Sequence, residues 1–147
     1  MIGLNRILVG DAATTLQTLP GGFIDCVVTS PPYFQLRNYQ HEGQLGLESH
    51  VDDWAANLRT VLTEVARVLV PTGSVWLNVG DRYSSGREGA TAKSLLFGPE
   101  RLALALIADG WVIRNKIVEQ EWERDEEALG TVTLLYDHHT RGLSDRL

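Results

Sequence analysis

The stretch that most restricts the fold of this chain is an apolar pattern between Val51 and Leu69. Apolar residues recur there at spacings of three and four, which is the period of an amphipathic α-helix. Ser49, with Asp52 three residues later, predicts a capping box at its start, and Pro71-Thr72-Gly73 predicts its end. Because such a helix must bury its apolar face against a partner, the segments around it decide the fold.

Those segments are short apolar runs rich in β-branched residues, and they predict strands. The predicted strands are Asn5–Val9, Ile24–Thr29, Ser74–Val79 and Trp111–Val118, with a last candidate over Thr131–Tyr136. A further helix is predicted from Pro99 to a cap at Gly110, and Thr14–Leu19 is predicted to be a short connector of at most two helical turns. Strands that alternate with helices predict an α/β domain with a mainly parallel sheet, in which ligands gather at the carboxyl ends of the strands.

Length and charge narrow the possible functions. The chain has 147 residues, which suits one domain, and a formal net charge of -6, which excludes a polybasic nucleic-acid binder. Any contact with nucleic acid must therefore use a local patch. No run approaches the roughly 20 apolar residues of a membrane span, and the one cysteine, Cys26, cannot form an internal disulfide. The sequence predicts a cytoplasmic protein in which Cys26 is a buried small apolar residue.

Polar residues follow three of the predicted strands, as Gly10-Asp11, Ser30-Pro31-Pro32-Tyr33 and Gly80-Asp81. The middle group combines a hydroxyl, carbonyls without competing N–H groups and an aromatic ring on backbone that proline restrains. These groups suit the exocyclic amine of a nucleobase. If Ser30 and the Pro31 carbonyl each accept one amino hydrogen, the nitrogen lone pair is freed for a methyl donor while Tyr33 stacks on the base.

A base inside a duplex cannot reach such a loop, so the target would have to be flipped out of the helix. The same four residues also fit a simple turn after a strand, since Ser and Pro are both favoured in turns. The rest of the sequence bears on this choice.

Beyond the tetrapeptide, the chain carries a series of further segments in a characteristic order. They are Gly10-Asp11, Phe23-Ile24-Asp25, Val27 to Tyr33, Gln44 to Glu48, Arg67-Val68-Leu69, Pro71-Thr72-Gly73, Trp76 to Asp81 and Pro99 to Leu106. This series, within residues 5 to 118, resembles the S-adenosylmethionine-dependent DNA amino-methyltransferases in their circularly permuted form. The resemblance implies a Rossmann-like methyltransferase fold, DNA as a partner and a place in a restriction-modification system.

The resemblance also implies roles for individual residues. Ser30, Pro31, Pro32 and Tyr33 match the amino-methylating loop, and Asp11 matches the acidic residue placed near the adenine amino group of the cofactor. Asp81 matches the family's Gly-Asp and is expected to help shape the cofactor pocket. Serine at the first loop position is similar to the cytosine-N4 enzymes, whereas aspartate is commoner in the adenine-N6 enzymes. Cytosine N4 is therefore favoured, with adenine N6 retained.

One part of the family pattern is not found. The glycine-rich Phe-x-Gly-x-Gly loop that binds S-adenosylmethionine does not occur between residue 118 and Leu147, and the segment from Glu119 is acidic instead. We therefore expect residues 1–118 to form the catalytic-loop half of a methyltransferase, with 119–147 as a divergent acidic tail that includes the last candidate strand. The chain therefore resembles a truncated, split or decayed methyltransferase, and a second polypeptide with the cofactor-binding half is a candidate partner. The alternatives are a catalytically silent remnant that binds DNA or a partner chain, and a methyltransferase of another amide, like the glutamine methyltransferases of release factors.

The remaining candidates are weaker. The segment Gly80–Phe97 predicts a mobile loop, on which Arg82, Arg87 and Lys93 are candidates to contact phosphate. The adjacent His138-His139 lacks further ligands at metal-site spacing, so no metal is predicted. The tryptophans on apolar faces are predicted to pack in the core, namely Trp54, Trp76 and Trp111.

Overall fold

The computed structural model describes residues 5–88, 90–119 and 129–137. This part of the chain forms α1 (Ala12–Gln17), β1 (Ile24–Thr29), α2 (Val51–Val68), β2 (Leu69–Asp81), α3 (Gly98–Ala108), β3 (Val112–Glu119) and β4 (Leu129–Asp137). The β1 segment and α3 confirm the predictions, including Pro99 in the first turn of α3 and Gly110, with φ +94°, after its end. Among these residues no helix is long and apolar enough to cross a membrane.

The described strands form one sheet in the order β1-β2-β4-β3. β1 and β2 pair in parallel, while β4 is antiparallel to both β2 and β3. It follows that β1, β2 and β3 run in the same direction and that β4 runs against them. The α/β class and the mainly parallel direction of the strands are as predicted, and residues 129–137 lie inside the sheet.

The core lies between one face of the sheet and the helices α2 and α3. Trp54 of α2 is completely buried, and the starting residue of α3, Gly98, packs against its ring. A Cβ atom at Gly98 would lie 3.2 Å from that ring, so the close approach of α3 favours glycine there. The other completely buried aliphatic side chains of this core are Leu58, Val75, Leu77, Val79, Leu96, Leu102 and Leu106. Each such aliphatic side chain contributes roughly 1.5–3 kcal/mol through its burial.

The opposite face of the sheet is exposed. Val28 is 79% exposed and Trp76, its register partner on β2, is 41% exposed, and Cys26 on the same face is also exposed. The predictions that Cys26 and Trp76 are buried are therefore wrong, whereas those for Trp54 and Trp111 are confirmed. The physical reason is that no described helix covers this face, so apolar residues that face away from α2 and α3 meet solvent.

The predicted strand over Asn5–Val9 is not formed, and that prediction is wrong. Ile7 and Val9 are 92% and 94% exposed, and these residues pair with no described strand. β1 pairs with β2 along one edge, while its other edge has no partner in the described chain. An apolar segment becomes a strand when a neighbouring strand satisfies its backbone groups, and here nothing described lies beside it.

Both ends of α2 differ from the prediction. The helix begins at Val51 after His50, whose side chain makes no capping bond, so the capping box of Ser49 and Asp52 is not formed. The helix ends at Val68, and β2 follows without a loop. Pro71-Thr72-Gly73 lies within β2 where the pairing shifts, because Ile24 is opposite Leu69 but Cys26 is opposite Ser74. The run therefore forms a bulge and does not end the helix.

Candidate active site

The loop of Ser30, Pro31, Pro32 and Tyr33 follows β1 at the carboxyl edge of the sheet. The Tyr33 ring lies against Gly80, near the end of β2, and a Cβ atom at Gly80 would lie 2.8 Å from two atoms of that ring. Real Cβ atoms essentially never come so close to another atom. The Tyr33 ring can therefore occupy this position only because residue 80 has no side chain. The loop and Asp81 thus meet at one edge of the sheet, where ligands of parallel sheets bind.

The backbone of this loop is fixed from within the core. The indole Nε1 of Trp54 donates a hydrogen bond of 2.9 Å to the Pro32 carbonyl oxygen. Phe34, the residue after Tyr33, is buried and meets the Trp54 ring edge-on, with centroids 6.5 Å apart. Gly46 packs against the loop from outside, since a Cβ atom there would lie 2.8 Å from the Tyr33 carbonyl oxygen. The path of the loop is therefore preorganised.

The hydrogen bond from Trp54 engages only one of the two proline carbonyls of the loop. The Pro32 carbonyl is occupied, whereas the Pro31 carbonyl accepts no hydrogen bond from any described residue. The Ser30 hydroxyl is exposed and donates a long hydrogen bond of 3.3 Å to the Tyr33 hydroxyl. A hydroxyl that donates in this way keeps its lone pairs for accepting. Two acceptors, from Ser30 and Pro31, therefore remain available beside one aromatic ring.

A pocket of about 220 Å³ lies against this loop. Its lining consists of Ser30, Pro31, Pro32, Tyr33, Leu36, Arg37 and Tyr39, without any carboxylate from the described chain. A small concave site with ring surfaces and a few polar groups is what a planar heteroaromatic ligand requires.

Asp11 occupies the N-cap of α1. Its Oδ1 atom accepts a hydrogen bond of 2.9 Å from the Thr14 amide, which is the main reason why the pKa of this exposed carboxyl is lowered. The adjacent Gly10 and Ala12 line an apolar groove of about 390 Å³ between α1, β1 and α2, which Pro31 also borders. The Asp11 segment therefore lies along a groove that reaches the loop.

Asp81 is engaged within the fold. Its two carboxylate oxygens accept hydrogen bonds of 2.9 and 3.1 Å from the Phe97 and Gly98 amides at the start of α3. Burial raises the pKa of this carboxyl, and the Gly98 amide opposes the rise. Asp81 thus ties the end of β2 to α3. Because Asp81 is engaged by these amides and the sequence lacks the Phe-x-Gly-x-Gly pattern, the residues present do not fit the whole cofactor.

The segment after Asp81 is held by a buried carboxylate that the sequence analysis missed. Glu88 is 6% exposed and accepts hydrogen bonds from the Ser84 and Ser85 hydroxyls and from the amides of Ser85 and Arg87. The hydroxyl of Ser85 contributes most to lowering the pKa of Glu88 to about 2. The segment predicted to be a mobile loop is therefore internally cross-linked. The sequence pattern does not predict that Glu88 is buried, because its hydrogen-bond partners depend on how the backbone of residues 84–88 folds back on itself.

Of the three basic residues predicted to contact phosphate, Arg82 is hydrogen-bonded within the fold, whereas Arg87 and Lys93 are exposed. Arg82 donates to the Gln35 carbonyl oxygen at 2.9 Å and so connects the segment to the chain just after Tyr33. Arg87 and Lys93 are exposed, and neither lines the pocket beside Ser30.

The charge of Glu88 is expected to make stability depend on pH. Because its folded pKa lies below the ordinary value of 4.5, Glu88 stabilises the folded chain above about pH 4.5, and this contribution is lost as the pH falls towards 2. In Glu88→Gln this part of the pH dependence should disappear, and the variant should be less stable at pH 7. Urea unfolding followed by tryptophan fluorescence between pH 7 and 2 measures it, with the exposed Glu42→Gln as the matched control. Equal wild-type and Glu88→Gln profiles would contradict this role.

The sheet order, with the antiparallel β4 between β2 and β3, and the loop after β1 define half of a methyltransferase fold. Solved structures bear this out. TTHA0409 of Thermus thermophilus, a candidate DNA modification methylase solved with S-adenosyl-L-methionine, superposes with a TM-score of 0.67 at 24% identity, over 89% of this chain and 52% of that one. The cytosine-N4-specific PvuII DNA methyltransferase gives 0.64 at 17% identity, over 88% of this chain and 48% of that one.

A family model described as DNA methylase matches residues 24–129, and the chain belongs to this family. The type II methyltransferase M.SfiI of Streptomyces fimbriatus is 46% identical over 122 residues, which are 76% of this chain and 29% of that protein. M.SmaI of Serratia marcescens is 38% identical over 135 residues, covering 77% of this chain and 46% of that protein. The chain thus spans less than half the length of these relatives.

A short match of a different kind also occurs. A candidate nickel-responsive regulator of Geobacter sulfurreducens is 62% identical over 37 residues, which are 24% of this chain. This stretch is too short to show membership of a second family. In the described residues no cluster of three or more metal-ligating side chains is present.

Proposed function

We propose that this chain is the catalytic-loop half of an S-adenosylmethionine-dependent DNA methyltransferase that acts on the exocyclic amine of a flipped-out base. The observation that carries the proposal is the pair of free acceptors beside one aromatic ring. The Pro32 carbonyl is occupied by Trp54, while the Pro31 carbonyl and the Ser30 hydroxyl remain available.

Each residue of the loop has a role in this proposal. Ser30 Oγ and the Pro31 carbonyl oxygen accept the two hydrogens of the amine, which draws its nitrogen away from planarity and frees the lone pair. Tyr33 holds the base by stacking, and Pro32 keeps the backbone rigid. Since the acceptors are placed before the base arrives, their reorganisation adds nothing to the barrier. The methyl group comes from S-adenosylmethionine, which is held mainly by residues outside this chain.

We favour cytosine N4 over adenine N6 as the target. Serine at position 30 is similar to the cytosine-N4 group, and a structural neighbour with the same fold is named cytosine-N4-specific. A serine hydroxyl is neutral, and it accepts from the amine without bringing a buried charge to the pocket.

A second polypeptide, with the glycine-rich half, completes the enzyme in this proposal. Two observations support it: the edge of β1 that has no partner in the described chain, and the exposed face with Val28 and Trp76. In the assembled enzyme Asp11 contacts the adenine end of the cofactor, while Asp81 shapes the pocket through its hold on α3. The assembled enzyme acts on DNA in the cytoplasm.

The open edge equally favours a second candidate, a catalytically silent remnant that binds DNA or a partner chain. Co-expression separates the two. The chain is expressed with the part of M.SmaI that it does not match, and nucleosides from the host DNA are quantified by mass spectrometry. We expect N4-methylcytosine when both polypeptides are present and neither modified base with either polypeptide alone. N6-methyladenine would overturn the choice of target, and unmodified DNA would favour the remnant.

A further inference from the structure

The pocket beside Ser30 continues onto residues that the proposed mechanism does not use. Leu36, Arg37 and Tyr39 complete its lining on the side that follows the loop. Arg37 is exposed and Tyr39 is 57% exposed, so both lie at the rim. Among the residues that line this pocket in the described chain, Arg37 alone is charged. In a chain with a net charge of -6, a positive group at this place needs an explanation.

The guanidinium of Arg37 is uncommitted. Four of the described arginines donate side-chain hydrogen bonds to carboxylates or carbonyls, namely Arg59, Arg67, Arg82 and Arg101. Within the described chain, no such bond is made by Arg6, Arg37, Arg87 or Arg114. Of these four, Arg37 is the one that lines the pocket. Its planar donors are therefore available to a ligand held there.

The side chains of Gln44 and Asn38 hold the backbone around Arg37 in place. Gln44 donates from Nε2 to the Arg37 carbonyl oxygen at 3.0 Å, and its Oε1 accepts from the Tyr39 amide at 2.6 Å. The next amide, of Gln40, donates to the Asn38 side chain at 2.7 Å. The turn is thus preformed, which reduces the entropy lost when a ligand binds to it.

From these observations we infer that Arg37 binds a phosphate of the extruded nucleotide, with Gln44 as its positioning residue. The inference rests on the proposed function, because a base beside Ser30 places its own phosphates at the rim of the pocket. A guanidinium matches a phosphate through two parallel N–H donors, and such contacts position the strand without reading its sequence. Arg37 therefore fixes the extruded nucleotide by its backbone, while Ser30 and Pro31 meet its amine.

The test is the binding of fluorescent single-stranded oligonucleotides to the 147-residue chain, measured by anisotropy at several salt concentrations. Two probes are used, one with cytosines and one of the same length made of abasic sites. Arg37→Gln should weaken binding of both probes about tenfold and reduce the slope of log affinity against log salt by about 0.7. Arg37→Lys should retain the slope and lose part of the affinity. Arg114→Gln, an equally uncommitted arginine on β3, should change neither.

Tyr33→Ala supplies the opposite pattern, since it should weaken binding of the cytosine probe and leave the abasic probe unchanged. An Arg37→Gln chain with wild-type affinity and salt slope would overturn the inference, as would a wild-type chain that binds neither probe. Neither result depends on methyl transfer. Modified DNA in the co-expression experiment together with unchanged binding by Arg37→Gln would refute the phosphate contact alone.

Discussion

In the assembled enzyme, Ser30→Ala is expected to methylate DNA about 100- to 1000-fold more slowly, through a lower kcat. In the proposed mechanism, the variant lacks one of the two acceptors that draw the target amine out of planarity. The Pro31 carbonyl and the Tyr33 ring, which packs against Gly80, are unchanged, so the base should still bind while its nitrogen stays a poor nucleophile. Transfer of a radioactive methyl group to DNA, with DNA and cofactor at saturation, measures the change.

Ser49→Ala is the matched control, because Ser49 is an exposed serine that does not cap α2. It should retain wild-type turnover. Circular dichroism of both variants shows whether the fold is retained. If Ser30→Ala turned over as fast as the wild type, the hydroxyl would have no part in activating the amine, and the loop would act through its carbonyl and ring alone.

Calorimetry of the purified chain with S-adenosylmethionine is expected to show no heat of binding at micromolar concentrations. The Asp81 carboxylate already accepts hydrogen bonds from the Phe97 and Gly98 amides, and Asp11 caps α1, so in the proposed function the chain alone lacks most of the cofactor site. Adding the unmatched half of M.SmaI should produce saturable heat, because in the proposed assembly the missing half supplies the glycine-rich loop and covers the open edge of β1. Cofactor binding by the chain alone would show that the site is complete without the second half.

A charged residue introduced on the exposed face of the sheet tests whether the two halves assemble there. Val28→Asp should abolish the heat that the added half restores, because it would bury an unpaired carboxylate between the halves. Leu104→Asp is the control, since Leu104 is also an exposed apolar residue, at 68%, but lies on α3 away from that face. Equal effects of the two variants would mean that the halves do not meet at β1.

Local signals accounted for much of the fold. The Ile24–Thr29 run is bounded by turn residues on both sides, and its strand has the predicted limits. Pro99 and Gly110 likewise mark α3, because their backbone preferences act within a few residues. The end of α2 could not be predicted in this way. The end of α2 depends on the pairing of β2 with β1, whose residues are more than forty positions away in the sequence, and Pro71 lies in the bulge of that pairing.

Burial on the second face could not be predicted either. Cys26 and Trp76 are apolar residues in strands, and a sequence pattern shows that they favour burial but not whether a covering layer exists. The residues that support the candidate site from a distance in the sequence could not be predicted either. Ser30 and Tyr33 were recognisable from their types, but the contribution of Trp54 is a hydrogen bond across twenty-two positions, and no motif contains both residues.

Trp54 belongs to α2 and Pro32 follows β1, so both ends of their hydrogen bond lie on the same polypeptide. In the proposed enzyme, the geometry that receives the target amine therefore depends on this chain alone, whatever carries the cofactor half. Any exchange of the cofactor half across the open edge of β1 would leave those amine-binding groups in place.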